Sequence, residues 1–328
     1  MRSRLGCRST LRIVIVGAGV QGTVFAVQLT RAGHQVTLIS RPKRAMELRQ
    51  QGATIQNLTT NEICTKVLPV LDRLPPTLVA DICLVTVRRE QIDAVLSDLV
   101  RATAIPRVVF LVNHANGSAE LAKLLGPSRT VLAFPGFAGD REGTIVRYVD
   151  VSQQHTVVDE KARDVVSLFR DAGFPVDTVR DMDAWLQRHA VFITAIVGAL
   201  YENDCNALRL AQNPQMVRRF IVAVREGWTA QDRKRMEPAP FLLRTIICFV
   251  PLWLSVRYWS RLLASPRGDI YFARHARHAP AEMVSLAEDV RTLLCGREAP
   301  ELRRLLASID AWQQKINDSS GRISSQRC

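Results

Sequence analysis

The residues with the clearest chemical potential lie near the start of the chain. Gly17-Ala18-Gly19-Val20-Gln21-Gly22 is a GxGxxG run that follows an apolar strand pattern, Arg12–Val16, and opens a helical one. Gly17 permits a tight turn there, Gly19 lets backbone amides approach a diphosphate, and Gly22 lets helix and strand pack closely. The helix start at Val20 and Gln21 adds partial positive charge, so the implied chemistry is capture of a dinucleotide pyrophosphate. About 20 residues on, where a carboxylate would hold ribose hydroxyls, the chain reads Ile39-Ser40-Arg41-Pro42-Lys43-Arg44. Ser40 can donate to a 2′-phosphate and Arg41 can grip one with two bonds. The pattern therefore favours NADP(H) over NAD(H) and disfavours FAD.

These residues need a scaffold, and the first half supplies its signature. Apolar runs at Leu11–Val16, Gln35–Ile39, Ile82–Val87, Val108–Val112 and Val131–Phe134 alternate with helical patterns at Val20–Ala32, 90–100 and 117–125. Alternation of this kind predicts a Rossmann-type, doubly wound parallel sheet covered on both faces, an α/β class. Gly143–Val149 and Gln154–Val158 read as a hairpin-like addition, Glu160–Ala172 as a helix, and Val176–Val179 as a last strand. Beyond residue 180 the strand signal stops, and 182–201, 214–230, 241–264, 280–295 and 301–316 read as helices. The expected organisation is an extension over 1–10, a dinucleotide-binding domain over 11–180, an all-helical substrate or dimerisation domain over 181–316, and a disordered tail over 317–328. Such a pair of domains holds its ligand in the cleft between them.

Composition narrows the function classes. The 328 residues are 47% hydrophobic and carry a formal charge of +13, which is globular rather than disordered. The basic excess is dispersed, and its densest cluster, Arg233-Lys234-Arg235, has no interleaved aromatics, so nucleic-acid binding is not expected. Seven cysteines without CxxC spacing argue against a disulfide framework and a structural zinc site and for a reducing, cytoplasmic setting. Two later apolar stretches without a charge, Ala190–Tyr201 and Thr245–Val256, hold 12 residues each, against the ~20 that a spanning helix needs. No stable membrane insertion is expected. The second stretch, with Trp253, could touch a membrane surface or a second copy in a homodimer.

In this order and spacing the chain resembles the ketopantoate reductase family over most of residues 11–295. The features are GAGVQG after the first strand, Arg41 after the second, LVTVRREQIDAV at 84–95, FLVNHANGSAEL at 110–121, and a helical second half containing Glu282. The resemblance implies reduction of a 2-keto acid or related carbonyl substrate with NADPH. It puts Asn113 beside nicotinamide and substrate, Arg88 in place of a lysine near the cofactor, and Glu282 on substrate hydroxyls. Each has a plainer reading as well: a strand-end cap for Asn113, a solvated charge for Arg88, a helix-start glutamate after Pro280 for Glu282.

The helical half departs from the family. Its catalytic lysine, with asparagines four and eight residues later, aligns with Gln187, Val191 and Ala195, and no lysine lies between 161 and 234. A family serine falls near Ile270. Arg188 is adjacent but does not give up a proton near neutrality. His189 is the nearest side chain that can. Its spacing with Trp185, Phe192 and Ile196 fits a packed core histidine, and also an acid or substrate ligand. The sequence thus points to an NADP(H)-dependent oxidoreductase, or else to a catalytically degenerate NADP(H)-binding sensor or interaction protein.

Overall fold

In a computed structural model of the chain, residues 9–151, 154–231 and 241–325 are described. Residues 1–8 of the expected extension over 1–10 and the Arg233-Lys234-Arg235 cluster lie outside them. The first half runs β1 (Arg12–Val16), α1 (Val20–Arg31), β2 (Gln35–Ile39), α2 (Pro42–Gln51), β3 (Ala53–Asn57), β4 (Ile63–Lys66), β5 (Val70–Leu71), β6 (Ile82–Val85), α3 (Ile92–Arg101), β7 (Val108–Leu111), α4 (Ala119–Leu125) and β8 (Thr130–Phe134). It continues with β9 (Phe137–Glu142), β10 (Ile145–Asp150), β11 (Thr156–Asp159), α5 (Arg163–Asp171) and β12 (Val176–Val179).

Eight strands form the main sheet in the order β12-β11-β8-β7-β6-β1-β2-β5. All pairs are parallel except β11 with β8. Strand alternation sorts β1 between two cores. Ile13 and Ile15 pack with α1 and α5, while Val14 and Val16 pack on the opposite face with α3 and α4. Burial on both faces explains why these strands read as continuous apolar runs. From β1 the chain winds outward through β2 and β5, then returns to the other side of β1 as β6. The carboxyl ends of β1 and β6 therefore flank a topological switch point, where open α/β sheets bind ligands.

A second sheet, β4-β3-β10-β9, covers α1 through Phe137 and Tyr148. Phe25 and Phe137 lie 5.3 Å apart, and Gln28 Nε2 donates to the Tyr148 hydroxyl at 3.1 Å. This sheet corrects the expected hairpin of Gly143–Val149 with Gln154–Val158. The partner of β10 is β9, paired from Ile145↔Glu142 to Asp150↔Phe137, and β11 belongs to the main sheet. Gly143, at φ +61°, makes the two-residue turn, as a hairpin of this length favours. The polar run Phe137-Ala-Gly-Asp-Arg-Glu142 carries no strand pattern, so this pairing was hidden from periodicity.

After β12 the described chain is helical: α6 (Met182–Tyr201), α7 (Ala207–Ala211), α8 (Pro214–Ala230), α9 (Phe241–Arg244), α10 (Leu252–Ala264), α11 (Pro266–Gly268), α12 (Arg274–His278), α13 (Pro280–Leu293) and α14 (Pro300–Ser325). The expected single helix over 241–264 is broken. A wide π-type turn at Thr245–Phe249 ends at Val250, which the following Pro251 holds in extended geometry. Of the expected disordered tail over 317–328, residues 317–325 continue α14 to Ser325, and 326–328 lie outside the described residues. Nothing between Leu302 and Ser320 breaks a helix, and Gln313 Nε2 donates to Asn317 Oδ1 one turn on at 3.0 Å.

Helix α6 links the two halves. Asp181 caps it, its Oδ1 accepting from Ala184 N at 3.0 Å. Met182, Trp185 and Leu186 pack into the core of the main sheet, and Ala190 onward packs into the helical core with α8, α13 and α14. Among the described residues no helix is long and apolar enough to cross a membrane.

Candidate active site

At the end of β1 the glycine turn is fixed from below. Gly17 has φ +108°, its N–H donates to Ile39 O at 3.0 Å, and its carbonyl accepts from Thr86 Oγ1 at 2.8 Å. A Cβ on Gly22 would sit 1.8 Å from Gly17 O, so the helix approaches the turn more closely than any other residue allows. A Cβ on Gly19 would meet nothing within 4 Å. That space fronts the start of α1, which has neither a side-chain cap nor an acidic residue in its first turn. Free N–H groups and empty space at a helix start fit a diphosphate. Beyond β2, Ser40 is buried and Arg41 is exposed, without an ion pair among the described residues; it stands as N-cap of α2 beside Pro42. Arg44 is buried and donates to Glu47 Oε2 and Thr144 O.

From this turn a single cavity of about 330 Å³ runs to the helical half. Gly19, Val20 and Gln21 line one part of it, with Thr86 and Arg88 after β6 and Asn113 after β7. The carboxyl ends of three neighbouring strands thus open into one space. From the helical side come His189 of α6, Glu282 of α13, and Arg274, His275 and His278 of α12. Asn113 Nδ2 donates to Glu282 Oε1 at 3.0 Å, and His275 Nε2 lies 3.6 Å from Glu282 Oε2. Glu282 is only 6% exposed, so two polar partners offset the cost of burying its carboxylate. Seven residues along α13, Asp289 accepts from Asn116 Nδ2 at 2.7 Å and from Arg89 Nε at 3.4 Å. Two turns of one helix are thereby tied to the loops that bear Arg88 and Asn113.

Residues 13–162 match the family model described as ketopantoate reductase PanE/ApbA. The N-terminal domain belongs to the ketopantoate reductase family. Two curated 2-dehydropantoate 2-reductases are similar to the chain. That of Pyrococcus horikoshii is 24% identical over 66% of this chain and 72% of its own length; that of Aquifex aeolicus is 23% identical over 62% and 67%. The fold extends beyond the matched domain. A ternary structure of D-mandelate dehydrogenase with NADH and anilino(oxo)acetate superposes with a TM-score of 0.72 at 13% identity, covering 94% of this chain and 99% of that one. The 2-dehydropantoate 2-reductase from Geobacter metallireducens GS-15 gives 0.71 at 16%, covering 92% and 99%.

Against the ketopantoate reductase pattern, the structure shifts the register read on α6. Gln187, aligned with the family lysine, does not line the cavity, and Val191 and Ala195 are buried in the helical core. The α6 side chains that do line it are His189, Phe192 and Ile193. Two residues along a helix turn a side chain by about 200°, so Gln187 points away from where His189 points. No lysine lines the cavity among the described residues.

His189 is where the sequence placed it, but its setting changes its chemistry. Its ring stacks on Trp185 at 5.1 Å and 8°, and sits 4.2 Å from Phe134. Burial, with the positive charge of His275 as a smaller effect, pushes its pKa down to about 3. An imidazole held neutral can offer an N–H to a carbonyl oxygen but does not serve as an imidazolium acid near neutrality. The sequence reading missed His275, Arg274 and His278. Its one available signal was the run Arg274-His-Ala-Arg-His278, whose position over the cavity depends on the packing of α12.

Proposed function

We propose that this chain is an NADP(H)-dependent oxidoreductase of the ketopantoate reductase-like type that acts on the carbonyl of a 2-keto acid or related compound. The observation that carries the reading is the single cavity joining the glycine turn to the Asn113–Glu282 hydrogen bond. Gly17, Gly19, Val20, Gln21 and Gly22 would hold the pyrophosphate, with Ser40 and Arg41 at a 2′-phosphate and Arg88 along the same groove. When bound, the reduced nicotinamide supplies a hydride equivalent to a carbonyl carbon.

The chain's own residues account for the rest. Asn113 and Glu282 fix the polar side of the cavity, and their mutual hydrogen bond orients both. The neutral His189 ring can direct an N–H at a substrate oxygen. His275, which reaches the cavity beside Glu282, would give this oxygen its proton in the place of the family lysine. Calorimetric titration with NADPH and NADH, followed by a carbonyl panel monitored by coenzyme oxidation, tests the reading; absence of binding by either coenzyme would overturn it.

A second reading rests on the apolar face of α6, where Phe192 and Ile193 line the cavity and no lysine does. It is a dinucleotide-binding sensor without turnover. It predicts NADPH binding with no oxidation across the panel. We also propose a homodimer and a cytoplasmic setting. The first is supported by Phe249 at 68% and Trp253 at 71% exposure, four residues apart. The second is supported by five free cysteines among the described residues.

A further inference from the structure

The cavity is chemically two-sided. Its charged groups, Arg88, Asp140, Arg274, His275, His278 and Glu282, come from the strand ends, β9, α12 and the start of α13. Arg274 is matched locally, its Nε lying 3.4 Å from Asp269 Oδ2, and His278 Nδ1 lies 3.9 Å from Asp140 Oδ2. The opposite wall is made of rings and branched chains. Phe192 of α6, Tyr258, Trp259 and Leu262 of α10, and Phe272 of the turn at Asp269–Ala273 all line it. Phe192 lies 5.6 Å from Trp259 and 6.0 Å from Phe272, and Trp259 lies 6.2 Å from Phe272, so each ring fixes the others.

Beyond the Tyr258 hydroxyl and the Trp259 N–H, which is itself buried, a small hydroxylated acid would find no partners for its hydroxyls on that wall, which is unfavourable. A large apolar group would cover it and release its water. The geometry points to a substrate whose reacting carbonyl lies by Asn113 and whose other end is a bulky apolar group of aromatic size, such as an aryl-bearing 2-keto acid. This inference rests on the oxidoreductase reading and names the substrate class of the same cavity.

The test uses the full-length chain with NADPH and compares pyruvate, ketopantoate and 2-oxo-4-phenylbutanoate. Binding of the unreactive 4-phenylbutanoate is followed separately by tryptophan fluorescence. The aryl compound is expected to exceed ketopantoate in kcat/KM by about 100-fold, within the range that apolar pockets achieve. Leu262→Asn, on a half-buried side chain of the wall, is expected to weaken 4-phenylbutanoate at least tenfold while leaving NADPH affinity unchanged; a melting curve confirms that the variant folds.

If 4-phenylbutanoate binds and the variant weakens it, but no carbonyl is reduced, the substrate-class inference stands and the turnover reading fails. If ketopantoate or pyruvate is reduced as well as the aryl acid, or 4-phenylbutanoate does not bind to folded protein, the inference is overturned while the oxidoreductase reading survives in the first case.

Discussion

Asn113 Nδ2 and Glu282 Oε1 meet at 3.0 Å across 169 residues of sequence, and this one bond joins the end of β7 to the start of α13. Removing its donor leaves a buried carboxylate short of a partner. Asn113→Ala is expected to lower kcat/KM by roughly 10²–10³, as loss of one aimed donor does. It should also cost about 1–3 kcal/mol of stability. Steady-state kinetics and chemical denaturation read the two effects separately. If Glu282→Gln together with Asn113→Ala costs as much as the sum of the single changes, the two residues do not act as a unit.

Two glycines of the same turn should fail differently. Gly22→Ala drives a methyl group into Gly17 O at 1.8 Å. It is expected to destabilise the fold by about 1–3 kcal/mol, as overpacking does, and to lose coenzyme binding. Gly19→Ala meets nothing within 4 Å. It should keep the melting temperature and still weaken NADPH, because the new methyl group occupies space that the diphosphate needs. Equal melting temperatures for both variants would contradict the close approach at Gly22.

Arg41 is exposed and makes no ion pair among the described residues. Arg41→Ala should therefore leave stability within about 0.5 kcal/mol. It should weaken NADPH roughly 10–100-fold, the worth of a charge-assisted contact. NADH affinity should hardly change. Equal losses for the two coenzymes in calorimetry would remove the 2′-phosphate role.

His189 links pH to stability with a definite sign. Its pKa falls from 6.5 to about 3 in the folded chain. Above pH 6.5 the ring is neutral folded or unfolded. Below that, the unfolded chain takes up a proton that the native state refuses, so stability is lost as pH falls from 6.5 towards 3. By pH 5 the loss reaches up to about 2 kcal/mol. Denaturation at pH 7 and pH 5 should show it, and His189→Gln should flatten the difference. An unchanged slope in the variant would assign the acid sensitivity elsewhere, for instance to His114, whose pKa burial and Arg89 also lower.

Gln187→Lys restores the lysine at its aligned position but not in the cavity. It is expected to change kcat/KM by less than about twofold. A marked gain in ketopantoate reduction would show that a side chain at 187 reaches the site after all.

The sequence by itself determined the central strands of the main sheet and the glycine turn after β1. Those depend on short-range order: an apolar strand, three spaced glycines, a helix start, then Ser40 and Arg41 one strand later. Residues 12–41 carry that pattern locally, and β1, α1 and β2 lie within one or two residues of where it put them. Tertiary structure alone decided the helical side of the cavity. Whether Gln187 or His189 faces the cavity turns on the rotation of α6 between two cores. The partner of Glu282, the reach of His275 and the ring wall of Phe192, Trp259 and Phe272 come from elements distant in sequence. A polar strand such as β9 and a half-buried histidine held neutral both arise from neighbours brought in by packing, and periodicity carries no record of such neighbours.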